Sequence, residues 1–365
     1  MKPVLSYLTI ALAVGILAQT GCTTTDDGAT ARLGGTGAAL AETATPHDVA
    51  AGEYRTRGDY ANALEEYHRA LEIREKALGA EHPDVAKTCD EIALLHVAQG
   101  DYAQALEWYG KALAIRKTLG PNHPDVAATY DSLGWTSLSK GEHAEAVAWY
   151  LKALAIREEA PGRERNAVLN AHRQIAIVYQ RQGDIAKALE WYRRVLEIRE
   201  REQGPEHPDT VRDYSFIAAI HDSQGDHASA LTWYRKALAI REKTVGAAHP
   251  ETAAIYNSIA TAYSGQDDYR NALAWYDKAL TAYEKTLGKN HPHAAAVHNN
   301  IARVYYNQGE YSKALFECLS AYKTLVNKLG ASYPDTRLVK ANLAEIYRAT
   351  TYPQPFDTWL AEASR

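Results

Sequence analysis

The sequence predicts an all-α protein, a right-handed α-solenoid of stacked antiparallel helix pairs that occupies residues 46–350. Three series of landmark residues predict this fold: a His-Pro pair, a glycine just before it, and a second glycine midway to the next pair. All three recur every 42 residues, with one step of 41, although Arg165-Asn166 replaces one His-Pro pair and Asp267 replaces one midway glycine. Fixed periods of this size are typical of stacked supersecondary units rather than separate globular domains. The His-Pro pairs occupy residues 82–83, 123–124, 207–208, 249–250 and 291–292, and Tyr333-Pro334 continues the series.

The composition is that of a folded, water-soluble chain. Apolar residues make up 46% and charged residues 23% of the 365 residues, which argues against wholesale disorder. The formal net charge is −5 and no Lys/Arg block occurs. Since a basic patch or stripe is the electrostatic footprint of a nucleic-acid binder, nucleic acid is not expected as a partner.

Residues 1–22 read as an export signal. An apolar run from Val4 to Ala18 follows Lys2, and its 15 residues are short for a membrane span but suit the apolar region of a secretory signal. The run leads into Gly21-Cys22, which resembles a bacterial lipobox. This resemblance implies that Cys22 is lipidated and that the protein is held at the cell envelope, in the periplasm or at the outer membrane. An ordinary cleaved signal and an uncleaved anchor are the alternatives.

Residues 23–45 are predicted to be a flexible linker. They are mostly Thr, Ala and Gly, so they bury too little apolar surface to offset the entropy of ordering. A flexible chain of this length reaches roughly 25–30 Å.

Each repeat is predicted to hold two helices. In the second repeat the first helix begins at Pro83, because the fixed φ of proline suits a first helical position, with His82 as its cap. It ends near Gly100, where Asp101 is a good N-cap for the second helix. That helix carries large and small apolar residues at helical spacing and stops by Gly120.

These landmarks resemble the tetratricopeptide repeat, in its 42-residue kinesin-light-chain-like form. The first helix carries a large residue, a small residue and an aromatic, as in Ile175-Ala176-Tyr179, and the second carries Ala and Tyr, as in Ala188-Tyr192. The resemblance implies seven repeats over residues 46–350 with a single capping helix from Pro334 to Thr350, and leaves 351–365 as a tail. It also implies that a protein or peptide partner binds in a concave groove lined by the first helices.

Several residue types recur once per repeat and invite functional interpretations. The His-Pro histidines have two interpretations, metal ligands and helix caps. Stacked helices separate them too widely to share a metal ion, so capping is favoured. The tryptophan ladder has two interpretations: a stacking platform for sugars, or side chains that pack between repeats. Packing is favoured. The recurrent arginines are interpreted as local ion pairs or solvated positions, and Cys89 and Cys318 as small buried apolar groups. The two ladders are Trp108, Trp149, Trp191, Trp233 and Trp275, and Arg74, Arg116, Arg157, Arg199 and Arg241.

No catalytic triad, carboxylate pair or metal-binding motif stands out. We therefore expect no enzyme activity, no catalytic residues, no cofactor, no metal and no small-molecule substrate.

The residues that vary between repeats on the groove-facing side of the first helices are the candidate site. Asp48, Asp90 and Asp131 occupy it in the N-terminal half, and a basic and amide-rich set occupies it in the C-terminal half. Asparagine bonds both N–H and C=O of a peptide backbone, and arginine grips carboxylates. Asn299-Asn300-Ile301-Ala302 also resembles the kinesin-light-chain Asn-Asn-Leu-Ala motif. The predicted peptide-binding residues are Arg173, Arg181, Arg212, Asn257, Asn299, Arg303 and Tyr306.

The leading hypothesis is a non-catalytic scaffold of the cell envelope that binds an acidic or C-terminal peptide segment in this groove. A glycan- or cell-wall-associated binding module and a regulatory subunit of an envelope enzyme complex are the alternatives. A solvated groove without a dedicated ligand also remains open.

Overall fold

The protein is entirely helical over the part that the structure describes. The computed structural model describes residues 35–160, 165–350 and 352–363, which hold 17 helices and no strand. The first nine helices are α1 (Gly35–Glu42), α2 (Thr45–Thr56), α3 (Tyr60–Leu78), α4 (Pro83–Ala98), α5 (Tyr102–Lys117), α6 (Pro124–Lys140), α7 (His143–Glu159), α8 (Arg165–Gln182) and α9 (Ile185–Glu202). The others are α10 (Pro208–Ser223), α11 (His227–Thr244), α12 (Pro250–Gly265), α13 (Tyr269–Leu287), α14 (Pro292–Asn307), α15 (Tyr311–Leu329), α16 (Pro334–Arg348) and α17 (Phe356–Ala363).

The helices follow the predicted pairing. From α2 onward, each even-numbered helix is the first helix of a repeat and the next odd-numbered helix is the second. Contacts are concentrated within such pairs, as between α4 and α5 or α12 and α13, and between consecutive pairs, as between α11 and α12. The predicted fold class, an α-solenoid of stacked helix pairs, is confirmed.

The chain forms two compact units. Among the described residues, the N-terminal unit holds 35–198 and the C-terminal unit holds 199–363, so the boundary falls within α9.

Histidine caps begin most of the first helices. The Nδ1 atom of His82 accepts a hydrogen bond from the backbone N–H of Asp84 at 3.2 Å, and His123, His207, His249 and His291 do the same in their repeats. Such a bond satisfies one of the backbone donors that a helix start leaves open. The predicted capping role is confirmed. In the described part of the chain, no group of three or more His, Cys, Asp or Glu residues is placed to hold a metal ion.

Small residues let the two helices of a repeat approach closely. In α5, Ala105 and Ala112 are fully buried on either side of Tyr109, which is 2% exposed. Gly134 on α6 shows how tight the fit is, because a Cβ placed there would lie 3.0 Å from the ring of Tyr150. The core is therefore an alternation of tyrosine and small residues that recurs in α3, α5, α7, α9, α11 and α13, whereas Cys318 takes the place of the tyrosine in α15.

Two segments differ from the sequence-based expectation. The last part of the predicted linker, residues 35–42, forms α1 and contacts α3, since its alanines and leucine favour helix. The rest of the linker that precedes it, like the predicted signal and Cys22, lies outside the described residues.

The predicted C-terminal tail also contains a helix. Its second half is α17. Phe356, Trp359 and Leu360 of this helix pack against the buried apolar cluster that contains Val339, Leu343 and Ile346 of α16, called the α16 cluster below. Trp359 lies two periods of 42 after Trp275. The helix predicted as a lone cap, α16, is therefore followed by a short second helix, and the two form a truncated eighth repeat.

None of the helices in the described ranges is both long and apolar enough to cross a membrane.

Burial makes two thiols unreactive. Cys89 is 3% exposed and Cys318 is 0% exposed, which confirms the prediction that they are small buried groups. Burial raises the pKa of the Cys89 thiol to about 11 and raises that of Cys318 further. At pH 8 a pKa of 11 leaves only about 0.1% thiolate, the reactive form.

We therefore expect neither Cys89 nor Cys318 to react with Ellman's reagent in the folded protein at pH 8, and both to react in 6 M guanidinium chloride. A Cys22→Ser variant restricts the count to these two thiols. Rapid reaction of either thiol without denaturant would contradict their burial.

Candidate functional site

The carboxylates predicted to face the groove in the N-terminal unit are paired with arginines of the same unit. Asp48 on α2 pairs with Arg74 on α3 at 3.0 Å, and Asp131 on α6 pairs with Arg157 on α7 at 3.1 Å. The third pair, Asp90 on α4 with Arg116 on α5, has the same spacing of 26 residues. These carboxylates face the second helix of their own repeat, where a long arginine side chain reaches them, and this corrects their predicted placement in the groove.

These ion pairs are deeply set. Arg116 is 8% exposed and also donates a 2.7 Å hydrogen bond to Oγ1 of Thr129. Burial raises the pKa values of Asp90 and Asp131, although the paired arginines act in the opposite direction. The free-energy cost of removing the carboxylates from water therefore offsets a large part of the attraction between the two charges of each pair.

Two recurrent arginines of the C-terminal unit form ion pairs with the following helix. Arg199 lies 3.2 Å from Asp209 and 3.1 Å from Asp213, both on α10. Arg241 lies 2.9 Å from Glu251 and donates to the backbone oxygen of Pro208. The interpretation of the recurrent arginines as local ion pairs is confirmed in all five repeats.

The predicted site residues are distributed over both units. Arg173 is half-buried on α8 and Arg181 is exposed in its last turn, both in the N-terminal unit. Arg212, on α10 in the C-terminal unit, is exposed and paired with Asp209. Asn257, Asn299, Arg303 and Tyr306 are on α12 and α14 of the same unit.

Asparagines link three consecutive first helices of the C-terminal unit. The amide of Asn300 on α14 donates to Oδ1 of Asn257 on α12 at 3.2 Å. The amide of Asn342 on α16 donates to Oδ1 of Asn299 on α14 at 3.0 Å. Asn342 was not predicted as a site residue, because both bonds join residues 43 apart, one more than the repeat, and the 42-residue pattern does not align them.

The cluster on α14 is rich in buried donors. Asn299 is 2% exposed, and no acceptor for its Nδ2 atom lies among the residues that the structure describes. One helical turn later, Arg303 is 7% exposed, and burial lowers its pKa to about 9. These two side chains were expected to line an open surface, whereas Asn299 is buried and bonded to Asn342 of α16, the next first helix. Tyr306, half-buried at the edge of this cluster, packs on Tyr311 with ring centroids 5.3 Å apart.

The tryptophans of the ladder pack against neighbouring rings of the protein. Trp149 lies against Tyr130 with ring centroids 5.5 Å apart, and Trp233 lies in the same way against Tyr214 at 5.9 Å. The ammonium of Lys152 also lies 4.0 Å from the centre of the Trp149 ring. Protein groups therefore cover much of these ring surfaces. The predicted packing between repeats holds for Trp108, which lies 5.3 Å from the ring of His68 in the preceding repeat, whereas the ring partners of Trp149 and Trp233 belong to their own repeats.

Comparison with known proteins gives a consistent family. The tetratricopeptide repeat family model matches residues 42–118, 90–159, 167–243 and 246–316. No curated protein sequence matches the chain.

Many solved structures are similar. The putative kinesin light chain repeats of Podosopora anserina are 26% identical, with a TM-score of 0.48, and the match covers 56% of this chain and 97% of that one. BtubC (BKLC) from P. vanneervenii is 19% identical, with a TM-score of 0.47 and coverages of 69% and 92%. The TPR2AB domain of yeast Sti1, in its complex with pHSP90, is 15% identical, with a TM-score of 0.31 and coverages of 84% and 99%.

Proposed function

The chain belongs to the tetratricopeptide repeat family, and from this premise we propose that it is a non-catalytic scaffold that binds an acidic or C-terminal peptide segment of a protein partner. The fold itself supports a role in protein–protein interaction. The segment binds at α14, one of the first helices of the C-terminal unit. The observation that carries this proposal is the cluster of buried donors formed by Asn299 and Arg303.

The Nδ2 atom of Asn299 is buried and has no hydrogen-bond acceptor among the described residues. A buried amide N–H without an acceptor costs about 1–3 kcal/mol. A peptide oxygen that reached Nδ2 of Asn299 would remove that cost. A ligand carboxylate beside Arg303 would stabilise the charged guanidinium, whose pKa burial has lowered, and would raise that pKa again.

The ligand class follows from the donors. Arginine forms two parallel hydrogen bonds to a carboxylate, and charge-assisted bonds of this kind contribute about 1.5–3 kcal/mol. Asn257 on α12 is half-buried, and its amide N–H groups add donors that suit an extended backbone, while its Oδ1 accepts from Asn300. Because Asn299 and Arg303 are buried, binding requires their side chains to shift toward the ligand.

The proposal predicts that a carboxylate-rich peptide binds and that Arg303 is needed. The probe is a fluorescein-labelled peptide of alternating Ala and Asp with a free C-terminus, measured by fluorescence anisotropy. Arg303→Gln is expected to weaken binding by about tenfold or more, the equivalent of one charge-assisted bond. The control peptide alternates Ala and Asn and has an amidated C-terminus, so it carries no carboxylate. Wild type is expected to bind it as weakly as Arg303→Gln binds the acidic peptide.

The matched control is Arg270→Gln, which removes the same charge from an exposed position on α13, and its affinity should equal that of wild type. Equal affinity of wild type for the acidic and neutral peptides, or equal losses in the two arginine variants, would exclude α14 as the site.

We further propose that the protein is exported and tethered to the cell envelope by lipid on Cys22. The support is the apolar run of residues 4–18 and the Gly21-Cys22 pair that follows it.

Cys22→Ser is expected to move the protein from the membrane fraction to the soluble fraction and to remove the lipid mass from the wild-type chain. Fractionation and intact-mass spectrometry check both. An unchanged mass and an unchanged membrane association in the variant would contradict lipidation, and a Cys89→Ser variant controls for loss of a thiol elsewhere.

A further inference from the structure

A small cleft opens between the second half of α14 and the first half of α15. Its volume is about 260 Å³, and it is lined by Tyr305, Ser312, Lys313, Phe316 and Glu317. Pockets for cofactors and drug-sized molecules have volumes of about 300–1,000 Å³. This cleft therefore suits a single side chain better than a whole small molecule.

The aromatic wall of the cleft breaks the repeat pattern. Phe316 is 72% exposed, more than any other large apolar residue among the described ones. A fully exposed phenylalanine forgoes the stabilisation that burial of its ring would give. The equivalent position in the six preceding repeats is polar or small: Glu65, Glu107, Ala148, Glu190, Thr232 and Ala274. The scaffold therefore does not need an aromatic here, and its exposure points to a partner.

The charged groups of the cleft already have partners within the chain. Lys313 is paired with Glu310, and its ammonium also lies 5.3 Å from the ring centre of Tyr305. The carboxylate of Glu317 is bound by Nδ1 of His298 at 2.6 Å. A charged ligand would have to break the ion pair of Lys313 with Glu310 or that of Glu317 with His298, whereas an uncharged apolar side chain would leave both in place.

We propose that this cleft binds one uncharged aromatic or large aliphatic side chain of a protein partner, clamped between the rings of Tyr305 and Phe316. It is a second contact surface, separate from the carboxylate site of Asn299 and Arg303. Aromatic rings of a ligand would add offset or edge-to-face contacts with both walls.

The three phenylalanines of the chain, Phe216, Phe316 and Phe356, allow a direct test. Biosynthetic labelling with 4-fluorophenylalanine gives a three-line ¹⁹F NMR spectrum, and the line missing in Phe316→Leu assigns Phe316. The probes are N-acetyl-tryptophanamide and N-acetyl-leucinamide, with the amides of N-acetyl-aspartate and N-acetyl-lysine as charged counterparts.

The neutral probes are expected to shift the Phe316 line saturably at millimolar concentration and to leave the other two lines in place. The charged probes are expected to bind about fivefold or more weakly. Saturation-transfer measurements on the unlabelled neutral probes should show that Phe316→Thr lowers their affinity by about fivefold or more and that Phe316→Tyr retains it. Phe316 is largely exposed, so these substitutions leave the fold intact.

Leu151→Ala, which removes an apolar side chain that is 41% exposed on α7, is the matched control and should bind like wild type. Arg303→Gln should also retain probe binding, which separates this proposal from the carboxylate site.

The proposal is overturned by a Phe316 line that does not shift, by equal and non-saturating shifts with all four probes, or by undiminished binding in Phe316→Thr. Sedimentation velocity tests the remaining occupant: self-association of wild type that is lost in Phe316→Thr would mean that the cleft takes a second copy of this chain and would also overturn the proposal.

Discussion

Replacement of Asp90 by alanine is expected to lower the free energy of unfolding by about 2–4 kcal/mol. The substitution leaves the guanidinium of Arg116 buried beside Thr129 without its carboxylate, and removing one partner of a buried ion pair costs about 3–5 kcal/mol. The lower part of the range applies because the Asp90 side chain is 24% exposed. Urea unfolding followed by circular dichroism measures the loss.

A double-mutant cycle separates the ion pair from the two side chains. Asp90→Ala with Arg116→Met removes both charges, and this variant is expected to recover most of the loss, since an apolar replacement of a buried pair is often close to neutral. Glu107→Ala, at an exposed position on α5, is the control and should change the stability by less than about 0.5 kcal/mol. A double variant whose loss of stability equalled the sum of the losses in Asp90→Ala and Arg116→Met would show that the pair contributes nothing.

The Arg116→Met variant should also show a distinct pH dependence. Burial raises the pKa of Asp90, and Arg116 is the largest influence that lowers it. Without Arg116 the carboxyl group of the folded protein holds its proton more tightly than that of the unfolded chain. The free energy of unfolding of this variant relative to wild type is therefore expected to increase as the pH falls from 7 through the raised pKa of Asp90. A stability difference that is constant between pH 7 and 4 would contradict this account.

The sequence was sufficient to predict features that depend on neighbouring residues. His82 caps α4 and Asp101 caps α5 as predicted, because capping joins groups two or three residues apart. Periodicity alone also placed the helices and identified Tyr109 and Ala112 as core.

The partners of the groove-facing residues could not be predicted in the same way. Asp90 and Arg116 are 26 residues apart, and the repeat period does not say which face of the second helix approaches the first. The burial of Asn299 depends on Asn342 in the next repeat, one residue out of register with it. Side-chain reach across a helix interface decides both, and it is a property of the packed structure rather than of the pattern.

The C-terminal segment was mispredicted. The family resemblance ended the array with a capping helix from Pro334 to Thr350, so residues 351–365 were left as a tail. The structure shows that a helix restarts at Phe356, because Phe356, Trp359 and Leu360 share a face that the α16 cluster can bury.

Deletion of residues 352–365 is therefore expected to destabilise the C-terminal unit by about 3–5 kcal/mol. Leu360 is 6% exposed, and burial of such a side chain contributes about 1.5–3 kcal/mol, to which the half-buried rings of Phe356 and Trp359 add. Tyr347 would also lose the 2.7 Å bond that its hydroxyl donates to the backbone oxygen of Gln354. Urea unfolding and amide hydrogen exchange in α16 measure the loss.

The deletion also uncovers the apolar end of the array, and terminal repeats need a covered or polar outer face to remain soluble. We expect the truncated protein to bind a hydrophobic dye and to aggregate at concentrations where wild type is monodisperse. Leu360→Ala should reproduce about 2–4 kcal/mol of the destabilisation, whereas Glu362→Ala, on the exposed side of α17, should have no effect. If the truncated chain kept wild-type protection in α16, α17 would be an appendage, and α16 alone would close the array as the sequence had predicted.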